Sequence, residues 1–167
     1  MTTHDITTEE TWVQLADLNG DEREARMLER YQGMVALPEE ERISLMASNA
    51  EIVYGLSDEV LKNLTVSRLQ AWLLMEQEAA QLIATSYDTA MKKLSSSKAM
   101  RRVALVQTLA KEFPHEDQER LVTLMPTVFG GMPTAAAKAA QAAQAQSMPQ
   151  PEPVKKARKG WWPFSRN

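Results

Sequence analysis

The chain has no cysteine, six glycines and two histidines in 167 residues. Without cysteine there is no disulfide and no thiolate-held metal. No Gly-rich phosphate loop, dinucleotide fingerprint or H-E-x-x-H motif occurs. No stretch of 18 successive apolar residues exists, so no transmembrane helix is expected. The opening MTTHDITTEE lacks the basic and apolar regions of a secretory signal. Alternating runs of β-branched and aromatic residues are missing too, and with them the main signal for strands. These absences set the expected location in the cytoplasm.

What is abundant favours helix: Ala, Leu, Glu, Met, Gln and Arg. Hydrophobic residues make up 44% and charged residues 25%, ordinary values for a globular chain long enough to bury a core. The expected fold is all-α, a compact orthogonal or bundle-like array of about seven helices over residues 7–131.

Start and stop signals divide that array. A first helix is expected from Thr7 or Thr8 to Asn19–Gly20, and Asp21 is placed to cap a second that buries Met27, Leu28, Tyr31, Met34 and Val35. Leu37-Pro38 stops it, and Pro38 with three glutamates opens a third. Its apolar face is Ile43, Leu45, Met46, Ala50, Ile52 and Val53, with Gly55 as a left-handed stop. A short helix is expected over SDEVLKNL, then a new element from Thr65 or Ser67 to Leu94, as one helix or as two broken near Glu76–Glu78. SSS at 95–97 reads as linker and cap. KAMRRVALVQTLAKEF follows, exposing Arg101 and Arg102 and burying Val103, Val106, Leu109, Ala110 and Phe113. Pro114 opens a last helix to Pro126 or, with a kink, Phe129. PEEERISLM (38–46) echoes PHEDQERLVTLM (114–125), a similarity read as a generic helix start rather than duplication.

After Pro133 the composition changes. TAAAKAAQAAQAQS offers no large apolar residue, and MPQPEPV favours polyproline II. Residues 132–154 are expected to form a flexible spacer with a reach of roughly 25 Å.

The catalytic inventory is poor. His4 lies near the terminus and His115 in a first helical turn, beside acids that complement a helix dipole without a metal. No catalytic residue, metal site or cofactor is expected, and the chain is read as a non-enzyme. Trp72 and Tyr87 fall on the core stripe, where an apolar ligand pocket of several hundred Å³ would mark the competing reading, a small-molecule or cofactor-handling subunit. Arg68, Lys92-Lys93 and Arg101-Arg102 are interleaved with acids, so nucleic acid is not the expected partner.

The last segment, KKARKGWWPFSRN, has no structural reason for its residues. It holds three of the ten aromatic residues and carries +5, leaving −8 on residues 1–154 within a net charge of −3. Lys155, Lys156, Arg158 and Lys159 suit an anionic membrane surface, at about 1 kcal/mol each. Trp161, Trp162 and Phe164 suit its headgroup region. The same three aromatics would also serve as anchors of a linear motif docking a protein partner. The expectation is an adaptor whose helical body binds a protein partner of unknown identity, tethered by residues 155–167 at the inner face of the membrane. The alternative is a soluble assembly subunit docked through WWPF.

Overall fold

The structure is a computed structural model that describes residues 11–130. Seven α-helices follow a short 3-10 helix, Gln14–Asp17: α1 Gly20–Val35, α2 Glu39–Val53, α3 Asp58–Leu74, α4 Gln77–Met91, α5 Ser96–Ala110, α6 His115–Leu124 and α7 Pro126–Phe129. The all-α array is as expected, with no strand among the described residues. None of these helices is long and apolar enough to cross a membrane.

The first six helices start at residues 20, 39, 58, 77, 96 and 115, an interval of 19 each time. Their N-caps, Asn19, Pro38, Ser57, Glu76, Ser95 and Pro114, share one backbone conformation, with φ from −54° to −64° and ψ from 144° to 168°. That φ is the one a proline ring imposes, so Pro38 and Pro114 fit without strain. At Asn19 and Ser95 the cap side chain contributes instead. Asn19 Oδ1 accepts from the Glu22 amide at 3.0 Å, and Ser95 Oγ from that of Lys98 at 3.4 Å. In every unit the carbonyl of the cap residue accepts from the amide four residues on, at 2.9–3.0 Å.

The interval extends to the core. Leu15, Met34, Val53, Trp72, Met91, Ala110 and Phe129 lie 19 residues apart, and all seven are buried. The echo between residues 38–46 and 114–125 is therefore part of a structural repeat. It relates units 2 and 6, and the gapless register is Pro38 on Pro114. A unit of this size cannot bury its apolar face alone, so stacked neighbours share one core. The most extensive packing joins α1 to α3 and α2 to α4, each helix against the one two places on.

Several boundaries differ from expectation. Residues 11–18 form a turn and the 3-10 helix rather than the end of an α-helix. Asn19, not Asp21, caps α1. Residues 58–74 are one helix, and the break expected near Glu76–Glu78 falls at Met75–Glu76. Thr65 and Ser67 are buried inside α3, so they serve packing rather than capping. Gly55 is not left-handed. A Cβ there would lie 3.2 Å from the Ile52 carbonyl oxygen, and it is this close approach that favours glycine. Ile52, placed on the apolar face from its spacing, is 56% exposed.

Candidate functional site

Four arginines inside the array define its polar interior. Arg23 and Arg42, one unit apart, make equivalent bonds. Their Nε atoms donate to Ser67 Oγ at 2.9 Å and Ser86 Oγ at 2.8 Å, and each Nη1 donates to the carbonyl five residues before it, Leu18 or Leu37. Arg102 pairs with Asp88, both side chains no more than 10% exposed, and Asp88 also accepts from Thr127 Oγ1. Such a pair is weak evidence for net stability, but removing one partner strands a buried charge at about 3–5 kcal/mol.

Arg68 is the fourth, and it is 4% exposed. It stands on the buried stripe of α3, four residues after Leu64 and four before Trp72. Its Nη1 donates to Tyr87 Oη, and its Nη2 donates to Tyr54 Oη at 3.1 Å. The guanidinium lies 4.7 Å from the Tyr87 ring centroid and 5.9 Å from those of Tyr54 and Trp72, within cation–π range. Around it Trp12, Tyr31, Trp72 and Tyr87 form a chain of ring contacts with centroids 5.3, 5.8 and 5.4 Å apart. Burial pushes the phenol pKa values of Tyr31 and Tyr87 up, against the opposing pull of the Arg68 charge. Both phenols are neutral in the folded chain at ordinary pH.

A cavity of about 20 Å³ adjoins Arg68. Asn49, Met46 and Val53 of α2, Met27 and Tyr31 of α1, Tyr87 of α4 and Trp12 help to line it. It has room for about one water-sized species, far below the several hundred Å³ that a drug-sized ligand needs.

The basic residues singled out in the sequence do not form one exposed patch, since Arg68, Arg101 and Arg102 are tied into the array. Arg68 and Arg102 are buried in the bonds above. Arg101, expected to be exposed along with Arg102, donates to the carbonyls of Tyr54 at 2.8 Å and Leu56 at 2.9 Å and pairs with Asp58. Lys92 and Lys93 remain exposed. His115 is exposed, with Nδ1 3.7 Å from Glu119 Oε1. The proposed attachment residues Lys155, Lys156, Arg158, Lys159, Trp161, Trp162 and Phe164 lie outside the described residues, as does His4.

The chain matches no family model, no curated protein and no solved structure. The interior arginines were the part least visible in the sequence. Their signal was an Arg on each apolar stripe, at position 68 between Leu64 and Trp72 and at position 23 four residues before Met27.

Proposed function

We propose that this chain is a non-enzymatic adaptor, a helical body that binds a protein partner while residues 155–167 hold it at an anionic membrane surface. The observation that carries this reading is where the body's interior charges are used. Arg23, Arg42 and Arg102 are bound to other parts of the array, and the cavity beside Arg68 is too small for an organic substrate. Repeating helical units build extended surfaces suited to a protein partner. The tail supplies what the body lacks, four closely spaced cations followed by Trp161, Trp162 and Phe164. The basic residues would meet anionic headgroups, and the tryptophans would sit at the interface with their indole N–H groups wet. Attachment of this kind is reversible and comparable to that of one acyl chain.

Co-sedimentation of the full chain with vesicles tests the reading. Binding is expected to phosphatidylserine-containing vesicles, to weaken with added salt, and to fall at least about tenfold in the W161A/W162A double variant. Equal sedimentation of both forms would place the affinity in the body. No sedimentation of either would end the membrane reading and leave the tail as a protein-docking motif, which pull-down with a peptide of residues 150–167 would then examine.

A further inference from the structure

The buried charge of Arg68 has no counter-ion among the described residues, where no carboxylate is ion-paired with it. Its three bonded neighbours accept through hydroxyl oxygens, those of Tyr54, Tyr87 and, at 3.5 Å, Thr65, and Tyr87 is held neutral by burial. Two further donors, Arg68 Nε and Asn49 Nδ2, are buried without any hydrogen-bond partner. Both residues line the same cavity of about 20 Å³, as does Tyr87.

An unpaired buried charge and unmet buried donors are each destabilising, and both here call for an acceptor. The cavity supplies room for one species of about water size. A water molecule would satisfy N–H groups but leave the charge uncompensated. A monatomic anion meets both demands, whereas sulfate, phosphate and carboxylate ligands exceed the volume.

We propose that the cavity between Arg68 and Asn49 binds one small monovalent anion of chloride size, with Arg68 supplying the charge and its Nε and Asn49 Nδ2 supplying the unmet donors. The bound ion would tie α2 and α3 together at the centre of the aromatic chain. The array would then be stabilised by halide, independently of whatever the tail binds.

The test is thermal unfolding of the full chain in sodium chloride, sodium bromide and sodium methanesulfonate at equal ionic strength. Chloride and bromide are expected to raise Tm by about 3–6 °C in a saturable way, and methanesulfonate, too large for the cavity, is not. Asn49→Leu keeps Arg68 and its tyrosines and is expected to weaken halide binding at least about tenfold. Crystals of the unaltered chain grown in bromide should show anomalous density beside Arg68, which decides the matter even if the variant does not fold. Equal Tm values in all three salts would overturn the proposal. So would equal halide stabilisation of the variant, or a crystal with only a water in the cavity.

Discussion

At the scale of single residues, the molecule places arginine where a core would ordinarily hold leucine. Arg68 and the phenols around it share one electrostatic environment, and the phenols give the pH dependence. Burial raises the Tyr31 and Tyr87 pKa values above the ordinary value of 10.0. A group of this kind holds its proton more tightly folded than unfolded. Its contribution is therefore complete below about pH 10 and is lost progressively above it as the unfolded chain ionises. Tyrosine ring NMR should show Tyr31 and Tyr87 forming phenolate only as the chain unfolds in alkali. Ionisation of either near pH 10 with the fold intact would contradict the packing described. The stripe positions of these tyrosines were legible from spacing, because burial of an aromatic at helical period is local information. The role of Arg68 was not, because the spacing that buries Leu64 and Trp72 does not say what a guanidinium between them will meet. Its tyrosine partners are Tyr87 of α4 and Tyr54, the residue that follows α2.

At the scale of elements, the helix ends are tied across the array by arginine forks. Arg101 of α5 holds the carbonyls of Tyr54 and Leu56 at the end of α2. One unit later Arg120 of α6 holds those of Leu73 and Met75 at the end of α3, both at 2.6 Å. The last carbonyls of a helix have no partner within it, so each fork satisfies two acceptors at once. Arg120→Ala is expected to lower stability by about 1–3 kcal/mol in urea unfolding. Arg120→Lys should recover only part of that, since an ammonium cannot span both carbonyls in the plane of a fork. Full recovery by lysine would show that charge alone matters there. These ties explain why the break at Met75–Glu76 could be placed from sequence only approximately, and only as one of two options. No proline or glycine marks it, and its stabilising contact comes from a residue 45 positions away. The starts at Pro38 and Pro114 were legible because proline fixes the required φ.

At the scale of the whole molecule, the 19-residue interval organises both the backbone and the core. It was visible only as the similarity between residues 38–46 and 114–125. The units between reach the same cap conformation with Ser57, Glu76 and Ser95, residues that share no sequence signal with proline. The seven buried positions from Leu15 to Phe129 likewise range from alanine to tryptophan, which erases the repeat from the sequence while keeping it in the packing. The body is thus a stack in which a charge or aromatic residue at one unit is used by another one to three units away. That use of its interior is why attachment is proposed for the tail rather than for the helices. Backbone chemical shifts of the full chain test the repeat most directly. Extended cap residues are expected at 19, 38, 57, 76, 95 and 114, with helix between them. A helix running unbroken through Met75–Glu76, or breaks that leave the 19-residue interval, would contradict the repeat.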